Sequence, residues 1–297
     1  MLSILIPTYN YDILPLVSQL HKQATQANID FEIRVQEDDK NSTLVAQNTI
    51  INTWENCYYD INDSRQGWCL NRNILIEKSK GDKILFLDVD TLPVNNNFIS
   101  TYVELNLDEN PFVFGGWNYK ENYEKGFELR YFYGVNREAI PLHKRINNPY
   151  NTAFTSNLYY KKSAIPNLRF ESNLTKYGYD DILFINDIKK NNKPILHIEN
   201  PIYHLGLEKS EVYFNKVIES VLNLSILYKQ NQMSAQESKI IKAFQILQKY
   251  YLTNLFVFLF TICKPLFRKN ILSAKPSLFY LDLYKLGTFC FAMRDSK

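Results

Sequence analysis

Apolar and polar residues are patterned in two ways along the first part of the chain. Short runs at residues 2–6, 31–36 and 83–87 are rich in Ile, Leu, Phe and Val and predict strands. The run that follows Lys83 is apolar without alternation, which is typical of a strand buried on both faces. Segments 14–26 and 70–80 predict helices. This alternation predicts an α/β fold with a mostly parallel sheet flanked by helices.

The same alternation continues to residue 204 in a less regular form. Segment 181–191 predicts a helix, residues 48–54 fit either a helix or a strand, and residues 121–151 fit neither. Gly81 suits the C-terminal cap of the helix that precedes the central strand. Further strands are predicted at residues 57–61, 112–117, 153–160, 194–198 and 202–204.

The apolar pattern becomes helical from residue 211 onward. A stripe at residues 214–228 is followed by Ser234-Ala-Gln-Glu237, a capping box that predicts a helix running to Cys263, just before Pro265. Residues 277–293 predict another helix, rich in Leu, Phe and Tyr. We therefore expect an α/β domain over residues 1–210 and a C-terminal helical extension over residues 211–297.

The C-terminal extension is basic. Residues 239–297 hold ten Lys and Arg against two Asp, or +8, so that the chain's net charge of +3 leaves −5 for residues 1–238. Basic charge combined with apolar content predicts a helical hairpin that lies on an anionic membrane surface. The hairpin is not expected to cross the membrane, because its apolar run is shorter than the ~20 residues that a membrane span requires. A helical subdomain packed on the body, or on a second subunit of a homo-oligomer, explains the same pattern. The apolar content disfavours nucleic acid as the partner.

Two features of the sequence favour a reducing compartment. The four cysteines have no paired spacing and predict free thiols rather than a disulfide framework or a zinc site. The N-terminal apolar run is short, lacks a basic start and ends at Pro7, unlike a secretory signal. We expect a cytoplasmic protein, peripheral on the inner face of the cell membrane.

Two carboxylates close the central strand. Asp88 and Asp90 follow its apolar run directly, so we expect them where the strand leaves the sheet. Carboxylates in this position can hold a hard divalent cation that takes its other ligands from water and from a phosphorylated molecule. The same pair also fits an ordinary turn, in which Asp is frequent.

Six short motifs follow one another along the first 210 residues. They are Ser3-Ile-Leu-Ile-Pro-Thr-Tyr-Asn10, Phe31-Glu-Ile-Arg-Val-Gln-Glu37-Asp38, Gly67-Trp-Cys-Leu-Asn-Arg72-Asn73, Gly81-Asp-Lys-Ile-Leu-Phe-Leu-Asp88-Val-Asp90, Tyr177-Gly-Tyr-Asp180-Asp181 and His204. Their order and spacing resemble those of the inverting family 2 glycosyltransferases of GT-A fold. The resemblance implies a GT-A sheet and an enzyme that uses a nucleoside-diphosphate sugar, with a UDP-sugar as the favoured donor.

The resemblance implies that the donor nucleotide binds where the first two strands end. The turn formed by Pro7, Thr8 and Tyr9 can offer backbone groups to the nucleotide. Asp38 or Glu37 can accept a hydrogen bond from a base N–H. The sequence departs from the family at the first acid, which is Glu37 here, and this leaves the residue that faces the base open between the two.

The diphosphate and its metal are expected at the end of the central strand. Asp90 and His204 are the expected metal ligands, and Asp88 is expected to face the ribose or a metal-bound water. Mg²⁺ usually takes oxygen ligands, whereas a His ligand suits Mn²⁺. Arg72 would add positive charge near the phosphates. A buried strand histidine and a surface arginine are the plainer explanations of His204 and Arg72.

The resemblance implies that Asp181 is the catalytic base and that Asp180 orients the acceptor. The sequence departs from the family at both preceding positions, since Asp180 replaces Glu and Tyr179 replaces Gly. Tyr179 is therefore expected to narrow or line the acceptor site. Trp117 could stack on a sugar ring, although a core tryptophan at a strand end explains it equally well. Asn157 is placed at the acceptor site by the resemblance alone.

The leading hypothesis is a metal-dependent inverting glycosyltransferase that acts on a glycan or lipid-linked glycan in surface polysaccharide biosynthesis. A sugar-phosphate nucleotidylyltransferase is the alternative, but residues 7–11 lack the Gly-rich basic loop that such an enzyme needs. A non-catalytic membrane-associated partner of a polysaccharide assembly complex is a third option. Retention of Asp90, Asp181 and His204 argues against it.

Overall fold

A computed structural model describes residues 1–174 and 177–294 of the chain. These residues divide into two compact units. The sheet unit contains residues 1–120, 138–174 and 180–206, and the helical unit contains residues 121–137, 177–179 and 207–294.

All strands of the described residues belong to the sheet unit. They are β1 Leu2–Thr8, β2 Phe31–Glu37, β3 Cys57–Ile61, β4 Lys83–Phe86, β5 Thr91–Pro93, β6 Phe112–Phe114, β7 Trp117–Asn118, β8 Leu158–Lys161, β9 Leu196–His197 and β10 Ile202–His204. Seven of them form one sheet in the order β3-β2-β1-β4-β8-β6-β9, and β5-β10-β7 form a small second sheet. In the large sheet only β8 runs antiparallel to its neighbours, which confirms the predicted mostly parallel sheet.

Helices surround the sheet and make up the helical unit. The sheet unit contains α1 Leu14–Gln26, α2 Val45–Asn48, α3 Trp68–Lys78, α4 Phe98–Val103, α6 Leu142–Arg145 and α7 Asp180–Lys190. The helical unit contains α5 Glu128–Arg137, α8 Ser210–Lys229, α9 Lys239–Lys249, α10 Thr253–Ile271 and α11 Leu278–Arg294. The ambiguous segment at 48–54 is the end of α2 followed by a 3-10 turn at Thr49–Thr53.

Strand β1 is buried on both faces because successive side chains point to opposite sides of the sheet. Ile4 and Ile6 join an apolar cluster with Leu20 of α1. Leu5 points the other way and joins a second cluster with Leu75 of α3. The two clusters place helices on both faces of the sheet, as the unbroken apolar runs predicted.

Two boundaries predicted in the sheet unit are wrong. Helix α3 ends at Lys78 with Ser79 as its C-terminal cap, so Gly81 does not cap it. Gly81 instead permits close packing, because a Cβ atom there would lie 2.7 Å from the carbonyl oxygen of Met1. The strand predicted at 153–160 begins only at Leu158. Asn157, just before it, has a φ of 71°, which is incompatible with an extended strand.

The single long helix predicted to begin at Ser234 is wrong. Glu237 accepts a hydrogen bond from the Ser234 amide, as in a capping box, but α9 begins at Lys239 with Ser238 as its N-terminal cap. The helix ends at Lys249, and Tyr251 follows with a φ of 56°. A residue in this left-handed conformation interrupts the helix.

The predicted helix end before Pro265 is also wrong, since α10 continues through the proline to Ile271. Proline removes one helical hydrogen bond and usually kinks or ends a helix. Here the residues on both sides of it are packed, because Phe260 and Ile271 join Leu281 and Tyr284 of α11 in one apolar cluster. We infer that this packing outweighs the local cost of the proline.

Close helix contact shapes the core of the helical unit. A Cβ atom on Gly287 would lie 2.4 Å from the ring of Phe260, so α10 and α11 need a glycine at this crossing. Within the described residues, none of the helices combines the length and the apolar composition required to cross a membrane.

Candidate active site

Strands β1, β2 and β4 are parallel neighbours whose carboxyl ends share one edge of the sheet. Thr8 at the end of β1 lies opposite Glu37 at the end of β2, and β4 ends at Phe86 on the other side of β1. Asp38 and residues 88–90 therefore emerge at the same edge, where α/β sheets usually bind ligands. Asp88 and Asp90 lie beyond the strand, as predicted.

Arg72 of α3 joins two carboxylates that are far apart in sequence. Its Nη2 lies 2.8 Å from Asp88 Oδ1, and its Nη1 lies 2.5 Å from Asp180 Oδ2. The guanidinium lies over the ring of Phe170, 5.1 Å from its centre. Burial lowers the pKa of Arg72, but the carboxylates, Asp88 first, outweigh burial and raise that pKa well above its usual value. Arg72 is therefore a fixed cation that ties Asp88 to the first turn of α7.

Asp181 follows in the same turn of α7, and its pKa is shifted far from the usual value of a carboxyl group. The Thr155 amide donates to Asp181 Oδ1 at 3.3 Å, and the Thr155 hydroxyl donates to the same oxygen. Burial and the charge of Asp180 raise the pKa of Asp181 to about 7, while Arg72 opposes the shift. A carboxyl group with a near-neutral pKa can accept a proton at physiological pH. We call Arg72, Asp88, Asp180 and Asp181 the Arg72 cluster.

Asp90 and His204 face each other at the same edge. Asp90 Oδ2 lies 3.6 Å from His204 Nε2, and the Leu205 amide donates to the Asp90 carbonyl oxygen at 2.7 Å. The rings of Trp117 and Tyr119 lie 5.0 Å and 5.6 Å from the His204 ring and hold its orientation.

Gly206 makes room for the Asp90 carboxylate. A Cβ atom at Gly206 would lie 1.8 Å from Asp90 Oδ2 and 3.2 Å from the His204 ring. Any larger residue would displace the Asp90 carboxylate. The pair therefore depends on a glycine two residues after the histidine.

The Asp90–His204 pair fits a metal ion that is shared with a ligand. In the described part of the chain, no three His, Cys, Asp or Glu side chains are grouped so that they could hold a metal ion by themselves. Mg²⁺ at phosphate sites commonly uses only one or two protein ligands and completes its coordination with phosphate oxygens and water. One carboxylate and one imidazole 3.6 Å apart can serve such an ion, and the imidazole favours Mn²⁺.

Glu37 is fully buried and supports the turn after β1. Its Oε1 accepts a hydrogen bond from the Asn10 amide at 3.0 Å, and its Oε2 accepts one from the Tyr59 hydroxyl at 3.0 Å. Both oxygens are thus engaged within the protein. Of the two acids proposed to face the nucleotide base, Glu37 supports the turn after β1 from inside the protein.

Asp38 organises the loop that leads into α3. Its carboxylate accepts hydrogen bonds from the backbone amides of Gln66 and Gly67 at 2.9 Å and 3.0 Å, and from the Asn62 side chain at 3.3 Å. Arg65 Nε lies 3.9 Å from Asp38 Oδ2. Asp38 thereby fixes a cationic side chain at this edge of the sheet.

The turn after β1 presents an aromatic ring beside that cation. The guanidinium of Arg65 lies 4.3 Å from the centre of the Tyr9 ring, and Tyr9 is 43% exposed. Pro7 is half-buried. The Thr8 hydroxyl is buried and has no hydrogen-bond partner among the residues described. The turn thus offers a flat surface for stacking, and the Thr8 hydroxyl lies buried beside it.

Asn157 uses its side chain for hydrogen bonds inside the protein. The side chain is fully buried, and its amide donates to the carbonyl oxygens of Gly116 and Asn200 at 2.8 Å and 3.0 Å. Its oxygen accepts from the Tyr102 hydroxyl at 2.7 Å. Because these groups are consumed inside the protein, the predicted acceptor contact of Asn157 is not supported.

Trp117 and Tyr179 lie in different settings. The indole N–H of Trp117 donates to the Ser156 carbonyl oxygen at 3.0 Å, and its ring stacks on Phe154 at 4.6 Å, so the side chain is held half-buried. Tyr179 packs with the helical unit, has a φ of 74°, and burial raises the pKa of its hydroxyl. A tyrosine at positive φ is strained, and such strain often occurs at functional sites.

Three further residues of this region have no counterpart in the sequence-based prediction. They are Thr155, which bonds Asp181; Gly206, which leaves room for Asp90; and Tyr11, whose pKa is raised by burial and by Asp90. Only Gly206 had a usable signal, since a glycine two residues after a candidate ligand suggests close approach. The other two depend on contacts between distant segments.

The glycosyl transferase family 2 profile matches residues 3–165, which is more than half of the chain. The match includes the ends of β1, β2 and β4 and the Asp88–Asp90 segment, and it stops before α7. The match favours glycosyl transfer over the nucleotidylyltransferase alternative. None of the curated proteins searched matches the chain.

Solved glycosyltransferase structures share the fold. S. aureus TarS 1–349 in complex with UDP-GlcNAc is 15% identical with a TM-score of 0.53, covering 99% of this chain and 91% of that one. The mannosyltransferase PcManGT from Pyrobaculum calidifontis, in complex with GDP-Man and Mn²⁺, is 13% identical with a TM-score of 0.57, covering 99% and 86%. A longer TarS structure, 18% identical with a TM-score of 0.52, matches 76% of this chain, which spans 39% of its length. These likenesses confirm the predicted GT-A fold.

Proposed function

The chain belongs to glycosyl transferase family 2, and we propose that it transfers a sugar, with inversion, from a nucleoside-diphosphate sugar to a hydroxyl group of a glycan or lipid-linked glycan. The observation that carries the proposal is the Arg72 cluster. In it one guanidinium ties Asp88, at the donor edge, to the turn that bears Asp181, whose pKa is raised to about 7. Donor-side and acceptor-side carboxylates thereby belong to one network.

The donor nucleotide would bind at the turn after β1. Tyr9 and the guanidinium above it offer a flat cationic surface for a base. Thr8 would bond the nucleotide through its backbone, since its hydroxyl is buried. Asp38 is the acid we assign to the base, since it lies beside the Arg65 side chain at this edge, whereas Glu37 is fully buried beneath the turn. TarS bound to UDP-GlcNAc and PcManGT bound to GDP-Man support a nucleotide-sugar, and we favour a UDP-sugar.

Asp90 and His204 would hold Mn²⁺ or Mg²⁺. The bound ion supplies Lewis-acid stabilisation of charge on the leaving diphosphate. Gly206 leaves room for the Asp90 carboxylate itself, and the rings of Trp117 and Tyr119 fix the imidazole. PcManGT with GDP-Man and Mn²⁺ supports a divalent metal in this fold.

Asp181 would act as the general base. The acceptor hydroxyl gives its proton to the Asp181 carboxylate while its oxygen forms the new bond to the anomeric carbon. The bond from that carbon to the diphosphate oxygen breaks on the opposite face, so the configuration inverts. Asp180, fixed by Arg72, would orient the acceptor. We assign the reaction to surface polysaccharide biosynthesis, the context that the family resemblance implies.

A screen of UDP- and GDP-sugars by thermal unfolding tests the donor site. We expect at least one of them to raise the Tm in the presence of Mn²⁺ and to lose this effect with EDTA. A ligand at one hundred times its Kd stabilises the folded state by about 2.7 kcal/mol, which such a screen resolves. If no nucleotide-sugar shifts the Tm with metal present, the proposed function is wrong.

Histidine variants give the matched control for this screen. His204→Gln is expected to abolish the metal-dependent shift. His143→Gln changes an exposed histidine of α6 and is expected to keep it. An unchanged shift in His204→Gln would contradict the assignment of His204 as a ligand.

A further inference from the structure

Helix α10 carries a solvent-facing apolar stripe, which we call the α10 stripe. Its members are between 49% and 63% exposed and consist of Leu255, Phe258, Leu259, Ile262 and Leu266. They are spaced by three or four residues, so they share one face of the helix. The other face is buried in the helical unit through Val257, Phe260 and Ile271.

The apolar surface extends into the turn before the helix. Tyr250 and Leu252 are exposed, and Tyr251 is 93% exposed with a φ of 56°. A tyrosine in the left-handed region is strained. At this exposure, almost none of its side chain is buried on folding to offset that strain. Tyrosine is enriched where a protein meets the boundary between hydrocarbon and water. Turn and stripe form one continuous segment, residues 250–266.

The charged residues within this stretch of the sequence have a single sign. Residues 238–281 contain seven Lys and Arg and no Asp or Glu. Lys249 lies directly before the turn, with its Nζ 5.8 Å from the centre of the Tyr250 ring. Lys269 is exposed three residues after Leu266, on the stripe's side of the helix. The apolar surface is therefore bracketed by cations.

We propose that the α10 stripe docks on the surface of an anionic lipid bilayer, with α10 lying in the plane of the interface. Apolar side chains would enter the acyl boundary while the flanking lysines meet anionic headgroups. The described helices offer no membrane span, which leaves an interfacial position for the stripe.

Charge argues against a second copy of the chain as the occupant. In a two-fold contact the same surface lies on both sides of the interface. Packed antiparallel, Lys249 of one copy would approach Lys269 of the other, and packed parallel each lysine would approach its own counterpart. Residues 238–281 provide no carboxylate to offset either arrangement, and Glu211 of α8 is already paired with Arg268 of α10. Like charges face to face oppose association, whereas anionic lipid neutralises them.

Vesicle co-sedimentation of the full chain tests this proposal. We expect binding to phosphatidylcholine vesicles that contain about 30% phosphatidylglycerol, weaker binding to pure phosphatidylcholine, and weaker binding at high salt. Phe258→Ser/Ile262→Ser/Leu266→Ser should lower the partition constant about tenfold or more, because it removes the apolar contact. The control Ile50→Ser/Ile146→Ser changes side chains that are 49% and 55% exposed on the sheet unit and should leave binding unchanged.

A charge variant tests the role of the lysines separately from that of the apolar side chains. Lys249→Gln/Lys269→Gln should reduce the preference for anionic over zwitterionic vesicles and leave the Tm unchanged. The proposal is overturned if the native chain does not sediment with anionic vesicles, or if the triple serine variant binds as the native chain does. It is also overturned if light scattering shows a dimer that the triple variant dissociates and no vesicle binding occurs. Each of these results leaves the glycosyltransferase assignment intact, since that is tested by donor binding.

Discussion

Two regions of the molecule depart in opposite directions from the usual distribution of polar and apolar residues. At the edge where β1, β2 and β4 end, charged side chains are buried, including Glu37, Asp38 and Arg72. Along α10, large apolar side chains face solvent. Buried charge and exposed hydrocarbon both cost free energy, so each requires an interaction that offsets the cost.

The difference lies in where the compensation comes from. At the sheet edge it is internal, because Arg72 pairs with two carboxylates and Glu37 accepts two hydrogen bonds. The site is therefore preorganised before any ligand arrives, which is what electrostatic catalysis requires. For the α10 stripe we propose that the compensation comes from an anionic lipid surface. The sheet edge is therefore proposed as the catalytic site, and the α10 stripe as a docking surface.

The largest effect is expected from Asp181→Asn, which removes the base but keeps the size of the side chain. Loss of a general base commonly costs 10²–10⁴ in rate, so we expect sugar transfer to fall by about three orders of magnitude. Donor binding, measured by the metal-dependent Tm shift, should persist because Asp181 belongs to the acceptor side.

Asp187→Asn is the matched control, since Asp187 lies on the same helix but has a side chain that is 46% exposed and pairs with Lys190. It should retain near-native transfer. Equal losses in both variants would show that α7 responds to charge removal in general, and loss of donor binding in Asp181→Asn would remove Asp181 from its role as base.

A smaller effect, on stability, separates buried from exposed ion pairs. Arg72→Met leaves Asp88 and Asp180 without their shared cation, and removal of one partner from a buried pair costs about 3–5 kcal/mol of unfolding free energy. Arg137→Met breaks an exposed pair with Asp282, for which about 0–1 kcal/mol is expected. Urea unfolding measures both. Similar losses would mean that the Arg72 cluster behaves as a surface network.

The sequence predicts the sheet unit well because its strands are buried on both faces and so appear as apolar runs. It predicts the helical unit less well. The break at Tyr251 has no Gly or Pro to mark it, and Pro265 marks an end that the packing of Phe260 and Ile271 overrides. Local signals fail where tertiary contacts decide the backbone conformation.

The site divides in the same way. The edge position of Asp88 and Asp90 follows from the strand pattern alone. The ion pair between Arg72 and Asp180 spans 108 positions in the sequence and could be seen only in the fold. The Asn157 amide bonds buried carbonyl groups, and nothing in the sequence distinguishes such an amide from one that binds a ligand.

The central claim is that the pKa of the Asp181 carboxyl group is held near 7, so that its carboxylate can take the acceptor proton. The most direct test is the pH dependence of kcat/KM for sugar transfer by the native chain at saturating metal. Because the pKa of Asp181 is raised to about 7, the base is protonated below that value and ionised above it. We predict that kcat/KM rises with pH and levels off above about pH 7. A kcat/KM that is already maximal at about pH 5, where only a carboxylate of ordinary pKa is ionised, would contradict the claim.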